Sequence, residues 1–199
     1  YGVGDITHSS GHHDHYNQWM WQRLLWNPRL SVDEVLAEYC VTWFGREAAP
    51  LMAEAILLLE ENMGEIPGTP LSEKETIGEY YGLVKKAGKK MPAQLMETNW
   101  LWRMYMQKGA LDQYVQLDVR QQLAVQMRVE TLAAKALAAD APNPIIIGAL
   151  IEMSELAETS KMARLREEAA RLGEESNALY GQRNDGNFNL KHDYIGLAW

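Results

Sequence analysis

The chain has 199 residues and a formal net charge of −8, which argues against binding to nucleic acid or to anionic membrane surfaces. No uninterrupted apolar run reaches the roughly 18 residues of a membrane span. A chain of this length can bury a large core, and its single cysteine, Cys40, cannot form an internal disulfide. Because Cys40 lies within an apolar helical pattern, we expect it to be a small buried residue.

The N-terminal stretch is predicted to be an irregular segment followed by a helix. Gly, Ser and His dominate the first 13 residues, where residues 3–7 are at most the remnant of a strand. Asp14 is the expected cap of a helix, because apolar residues then recur at a spacing of four: Tyr16, Met20 and Leu24. Asn27 and Pro28 are expected to end this helix.

A capping box at Ser31–Glu34 gives the clearest local signal in the sequence. The serine hydroxyl is expected to accept a hydrogen bond from the Glu34 amide, while the Glu34 carboxylate accepts one from the Ser31 amide. The predicted buried face of this helix consists of Val32, Leu36, Tyr39 and Trp43. Gly45 suits the positive φ that often follows a helix, so the helix should end there.

Three further helical regions are predicted before residue 140. The first covers about residues 47–63, with Met52, Ile56, Leu59 and Met63 on its buried face. The second starts at another capping box, Ser72–Glu75, and ends near Lys86. The third is a long segment that begins at Pro92 and is interrupted at Gly109.

A last helix is predicted after a turn at residues 140–143. Asn143 is its expected cap, Gly173 is a stop or weak point, and the buried face holds Met162, Leu165, Ala169 and Leu172. The fold class is therefore predicted to be all-α, with a multi-helix bundle over residues 27–180. Residues 181–199 are predicted to form an irregular C-terminal tail.

The only dense group of chemically active side chains lies near the N-terminus and contains His8, His12, His13, Asp14 and His15. The spacings of three and four would place two imidazoles on one face of a helix, which is one way to hold zinc, with His192 as a further ligand. A second interpretation is a cleft-lining loop whose donors suit sugar hydroxyls. The third is an ordinary polar loop that leads into a capped helix.

Other catalytic motifs are missing from the sequence. It contains no nucleophile elbow, phosphate-binding loop, dinucleotide fingerprint or Cys-x-x-Cys motif. Adjacent carboxylates such as Glu167 and Glu168 are predicted to be solvated on polar helical faces. We therefore predict no resident metal or cofactor, and the sequence nominates no catalytic carboxylate pair.

Residues 12–63 resemble a known arrangement. The run from His12 ends in Leu-Leu-Trp-Asn-Pro, followed by the capped helix from Ser31, Trp-Phe-Gly45 and Ala-Ala-Pro-Leu-Met52. This order resembles the region after the last strand of bacterial TIM-barrel glycoside-hydrolase-like proteins, including family 20 hexosaminidases. In those proteins an aromatic helix closes the barrel and a helical domain follows.

The resemblance implies a function for the chain. Residues 1–26 would be the last βα unit of a barrel that lies mostly upstream of Tyr1, since a full barrel needs about 200–250 residues. The chain would then brace the barrel of a carbohydrate-active enzyme, which is compatible with an exported parent protein and with a homodimer. His12, His13 and Asp14 would line the sugar cleft, although this loop is richer in histidine than the family's commoner acidic version. The alternative is a self-contained helical interaction or oligomerisation module without catalytic activity.

Overall fold

In a computed structural model, residues 15–63, 73–138, 148 and 158–180 are described, and every regular element among them is helical. The helices in chain order are α1 (His15–Trp26), α2 (Val32–Phe44), α3 (Ala49–Met63), α4 (Thr76–Gly88), α5 (Ala93–Thr98), α6 (Trp100–Ala138) and α7 (Ser160–Tyr180). The all-α prediction is confirmed for these residues. The strand remnant expected at residues 3–7 and the predicted tail at 181–199 lie outside them.

Helix α6 is the central element of the bundle. Every residue from 104 to 112 is buried, as expected of a helix that is enclosed by neighbours on all sides. Helices α4 and α7 pack against α6, while α3 packs against α4 and α2 against α3. Helix α1 lies at the edge of this arrangement and packs against α2. The largest fully buried side chains include Tyr39, Phe44, Met52, Tyr80, Leu101, Tyr105 and Leu172.

The start of α2 has the predicted capping box. The Glu34 amide donates to the Ser31 hydroxyl at 3.2 Å, and the Ser31 amide donates to the Glu34 carboxylate at 2.8 Å. The predicted buried face of α2 is partly wrong, because Val32 is 50% exposed whereas Val35 is fully buried. Val32 is the first helical residue, and the buried face begins three residues later, at Val35 and Leu36.

We expect Ser31→Ala to lower the free energy of unfolding by about 1 kcal/mol. The alanine removes the hydroxyl that accepts from the Glu34 amide, and an unpaired helix N-terminus costs this much in typical proteins. Ser31→Asp is the matched control, because a carboxylate restores the acceptor. Urea denaturation of both variants would measure the difference, and equal stabilities would contradict the role assigned to the cap.

Helix α4 begins later than predicted. It starts at Thr76, and Glu75 makes no capping hydrogen bond through its side chain; Ser72, the other end of the expected box, lies outside the described residues. The physical reason is tertiary, because the backbone carbonyl of Lys74 accepts from Gln116 of α6. The Lys74 side chain also donates to the Asn62 carbonyl at 2.6 Å, which holds this segment in a non-helical path.

The two glycines expected to break helices do not break them. Helix α6 continues through Gly109, and α7 continues through Gly173 to Tyr180. A helical glycine costs only about 1 kcal/mol relative to alanine, and the burial of Leu172 and Ser176 on either side of Gly173 outweighs that. The helical segment after Pro92 is instead interrupted at Asn99, between α5 and α6. The side-chain oxygen of Asn99 accepts a hydrogen bond from the Trp102 amide at 2.7 Å and caps α6.

Candidate functional site

The first residue of α1, His15, lies within a cluster of aromatic side chains from three helices. Its ring meets Trp43 of α2 edge-on, with centroids 5.0 Å apart, and meets Trp100 of α6 in the same way at 5.3 Å. The hydroxyl of Tyr39 and Nδ1 of His15 share a hydrogen bond of 3.0 Å. We call the set the His15 aromatic cluster; it consists of His15, Tyr16, Trp19, Tyr39, Trp43 and Trp100.

Tyr39 is the centre of this cluster and is fully buried. Its ring lies 5.2 Å from that of Tyr16 and 5.9 Å from that of Trp19, both in edge-to-face geometry. A further edge-to-face contact to Phe44, at 6.0 Å, connects the cluster to the core of the bundle. Such pairs favour fixed relative orientations, so the first turn of α1 is held in one position on α2.

The imidazole of His15 is predominantly neutral near pH 7. Burial lowers the pKa of His15 below its ordinary value of 6.5, because the charged form loses water contacts. The rings that surround it, Tyr39, Trp43 and Trp100, supply no negative charge near that pH. His15 is therefore suited to a packing and hydrogen-bonding role here rather than to an ion pair.

We expect the stability of the protein to fall as the pH drops below about 6.5, and part of this loss to come from His15. The unfolded state binds a proton more readily than the folded state, so stability is complete above the ordinary pKa and is lost as the pH falls towards the lowered value. His15→Asn removes the titrating group. Urea denaturation between pH 7.5 and 5.5 should show a shallower loss for the variant, and identical slopes would contradict the prediction.

Three buried polar atoms of the cluster have no hydrogen-bond partner within the described part of the chain. They are the hydroxyl of Tyr16 and the indole nitrogens of Trp19 and Trp43. Burial raises the pKa of Tyr16 to about 12, so its hydroxyl remains a donor at neutral pH. An unpaired buried donor costs about 1–3 kcal/mol, so this edge of the bundle is suited to receive acceptor groups from another element.

The outer face of α1, formed by Trp21, Leu25 and Trp26, is exposed to solvent. Its side chains are 44%, 57% and 86% exposed, respectively. The inner side of the same helix is fixed to α2, partly through an ion pair of 2.9 Å between Arg23 and Glu38. A helix with three tryptophans but a single buried residue, Tyr16, presents an unusually apolar surface.

The residues predicted to line a sugar cleft, His12, His13 and Asp14, lie outside the described residues, as do His8 and His192. Of the predicted histidine group, the structure places only His15. No group of three or more His, Cys, Asp or Glu side chains suitable for a metal ion occurs among the residues that the structure describes. The zinc interpretation therefore remains a prediction.

The structure tests the predictions for Cys40 and Glu168. Cys40 is fully buried as expected, and burial raises the pKa of its thiol to about 12. The prediction that Glu168 is a freely solvated carboxylate is wrong, because it accepts hydrogen bonds from the Tyr81 hydroxyl and, at 3.2 Å, from Lys85. These contacts join α7 to α4 across more than 80 residues of sequence, which no local pattern signals.

Comparisons with known proteins give one match. A family model described as a domain of unknown function, DUF4838, matches residues 2–56. This stretch includes the predicted cleft loop, α1, α2 and the first half of α3. No curated protein and no solved structure matches the chain.

Within the ranges that the structure describes, no helix combines the length and the apolar character needed to cross a membrane.

Proposed function

We propose that this chain is the helical C-terminal domain of a bacterial, carbohydrate-active, glycoside-hydrolase-like enzyme. In this proposal α1 packs against an upstream barrel, and the loop with His12, His13 and Asp14 lines the sugar cleft. The helical bundle braces the barrel and has no activity of its own. The carbohydrate part of the proposal depends on the resemblance of residues 12–63 to barrel-closing regions.

The outer face of α1 is the observation that carries the proposal. Fully burying one large apolar side chain stabilises a protein by about 1.5–3 kcal/mol. Trp21, Leu25 and Trp26 are all exposed in this chain, so further burial against another domain would add stability. A barrel-closing helix needs apolar residues on both sides, because one side contacts the barrel and the other contacts the helical domain. The inner side of α1 already contacts α2, so the exposed side chains of Leu25 and Trp26 are available for the barrel.

The position of His15 supports the proposed role of the loop that precedes it. Asp14 directly precedes His15, whose ring is held by Tyr39, Trp43 and Trp100. The first residue of α1, to which the proposed loop connects, is therefore fixed to α2 and α6. A binding site gains affinity when its groups are held in place before the ligand arrives, and the His15 aromatic cluster would do this for His12, His13 and Asp14.

Trp26→Gln tests whether α1 packs against another domain. We expect the substitution to leave the melting temperature of the 199-residue chain unchanged, because Trp26 is 86% exposed there. In the native polypeptide that contains the upstream sequence, it should lower stability by about 1.5–3 kcal/mol. Leu57→Gln on α3, which is 51% exposed, is the control and should change neither protein. If Trp26→Gln changed the stability of the 199-residue chain and of the native polypeptide equally, the packing of α1 against another domain would be contradicted.

The sugar-cleft role is tested in the native polypeptide with aryl glycosides as substrates. Asp14→Asn and His13→Ala should raise KM without changing the melting temperature, whereas Asn17→Ala, on the exposed part of α1, should have no effect. Absence of glycosidase activity in the unaltered polypeptide would remove the enzymatic part of the proposal and leave the docking result intact.

The second candidate is a self-contained helical interaction or oligomerisation module. It is favoured by the continuous core of α2, α3, α4, α6 and α7, which includes residues such as Leu101 and Leu172 with almost no exposure. A cooperative thermal transition and a monodisperse oligomer of the isolated chain would favour this candidate. Aggregation and incomplete folding of the isolated chain would favour the bracing domain, because α1 would lack its second partner, the barrel.

A further inference from the structure

Helix α7 runs antiparallel to α6. The side-chain amide of Gln107 donates to the Ala169 carbonyl at 3.2 Å. Nearer the start of α6, Nε of Arg103 lies 3.4 Å from a carboxylate oxygen of Glu175. A step of four residues back along α6 therefore corresponds to a step of six residues forward along α7. The last turn of α7, which ends at Tyr180, accordingly lies level with the N-terminal end of α6.

The first residue of α6, Trp100, is on the side of that helix that contacts α7. Residues seven apart in a helix differ by only about 20° around its axis, so Trp100 shares the face of Gln107. The ring of Trp100 lies 5.3 Å from that of His15. The end of α7 is therefore beside the His15 aromatic cluster, and the chain continues from Tyr180 at that point.

The His15 aromatic cluster is not fully enclosed. Trp19, Trp43 and Trp100 are only partly buried. The indole nitrogens of Trp19 and Trp43 and the hydroxyl of Tyr16, a side chain that is 8% exposed, have no hydrogen-bond partner in the described part of the chain. A group that covers this edge of the bundle must therefore combine apolar side chains with hydrogen-bond acceptors.

The acceptors that suit this edge are neutral ones. Burial is the main cause of the raised pKa of Tyr16, and the negative charges of Glu60 and Asp33 add to it. The surroundings of the hydroxyl are thus acidic, and a carboxylate brought against it would be repelled by both groups. Side-chain amides and backbone carbonyls accept hydrogen bonds without adding charge.

The sequence that follows α7 contains both kinds of group. Residues 181–199 include four side-chain amides, and their two basic and two acidic side chains balance. The amides belong to Gln182, Asn184, Asn187 and Asn189. Residues 194–199 have the sequence Tyr-Ile-Gly-Leu-Ala-Trp, in which every side chain is apolar or aromatic. Because the segment begins beside the cluster, its nineteen residues are enough to reach along α1 to Tyr16 and Trp19.

We infer that residues 181–199 return to the bundle and cover the His15 aromatic cluster. Amide and carbonyl oxygens of this segment accept hydrogen bonds from Tyr16, Trp19 and Trp43, while residues 194–199 pack against the partly buried indole rings. The inference does not rest on the proposed function, because both contact surfaces belong to this chain. It also makes no use of the outer face of α1.

Indole proton exchange, measured by NMR in the full 199-residue chain, tests the cover. In the double variant Leu197→Ser/Trp199→Ser the apolar contacts are lost, so the indole protons of Trp19 and Trp43 should exchange at least about tenfold faster. Trp102 is the internal control, because its indole nitrogen donates to a backbone carbonyl of α4 at 3.0 Å and should be unaffected. Unchanged exchange of Trp19 and Trp43 in the double variant would overturn the inference.

Two further measurements identify what covers the cluster. Lys191→Ser, a polar change within the same segment, should leave the exchange of all three indole protons as in the wild type. Exchange rates should also be independent of protein concentration, since the cover belongs to the same chain. Rates that rise on dilution would instead assign the cover to a second copy and would contradict the inference.

Tyr16→Phe tests the hydrogen bonds themselves. In the wild-type chain it removes a paired hydroxyl and should lower the urea midpoint of unfolding. In Leu197→Ser/Trp199→Ser it removes an unpaired hydroxyl and should leave the midpoint unchanged or raise it. Tyr80→Phe is the control, because the Tyr80 hydroxyl donates to the Tyr105 carbonyl at 2.8 Å and its loss should lower the midpoint equally in both backgrounds. An equal effect of Tyr16→Phe in both backgrounds would refute the pairing.

Discussion

Replacing Asp112 with leucine is expected to lower the free energy of unfolding by about 3–5 kcal/mol. Lys108 and Asp112 form an ion pair of 2.5 Å on the central helix α6, and their side chains are only 6% and 3% exposed. The leucine removes the carboxylate that Lys108 contacts and leaves a buried ammonium group. The cost of that uncompensated charge exceeds the gain from an added apolar side chain.

The double variant Lys108→Met/Asp112→Leu should recover most of this loss, because replacing both charges by apolar groups of similar size is often neutral or stabilising. An exposed ion pair with the same spacing, Arg171–Glu175 on α7, provides the comparison. Arg171→Gln should cost below about 1 kcal/mol, since water screens this pair. Urea denaturation curves of the four proteins give the energies. A loss below about 1 kcal/mol in Asp112→Leu would show that Lys108 reaches another partner or water.

The parts of the fold that could be predicted from the sequence are those specified by neighbours in the chain. The capping box at Ser31–Glu34 involves residues three apart, and the structure has both of its hydrogen bonds. The buried faces of α3 and α7 follow from the apolar spacing and are confirmed for Met52, Ile56, Leu59, Met162, Leu165, Ala169 and Leu172. Local patterns suffice wherever the interacting groups lie within one or two helical turns.

Features that depend on distant residues could not be predicted. Lys108 and Asp112 are four residues apart and resemble a solvated surface pair, and only the surrounding helices make them a buried one. The late start of α4 depends on Gln116, which lies 42 residues from Lys74.

The candidate site was predictable to the same limited extent. The sequence singled out His15 as part of a histidine-rich stretch, but not its partners Tyr39, Trp43 and Trp100 on α2 and α6. Aromatic residues are common in helical cores, so their types alone do not identify a cluster. The remaining members of that stretch, His12, His13 and Asp14, lie outside the described residues.

Gly109→Ala is expected to destabilise the protein by about 1–3 kcal/mol, although alanine is the better helix former. A β-carbon at Gly109 would lie 2.7 Å from Cδ2 and 3.2 Å from Cβ of Tyr81, and 3.0 Å from Cε1 of Tyr80. Neither ring can easily move. The Tyr80 hydroxyl donates to the Tyr105 carbonyl at 2.8 Å, and the Tyr81 hydroxyl donates to Glu168. The close approach of α4 and α6 therefore requires glycine at this position.

Gly82→Ala is the matched substitution, since Gly82 lies inside α4 and a β-carbon there would meet nothing within 4 Å. Only the helix propensity changes, so this variant should be more stable than the wild type by about 0.5–1 kcal/mol. The two glycine-to-alanine changes should thus shift the melting temperature in opposite directions. A stabilising Gly109→Ala would mean that α4 and α6 can separate at low cost, and that the packing of Tyr80 and Tyr81 does not hold them together.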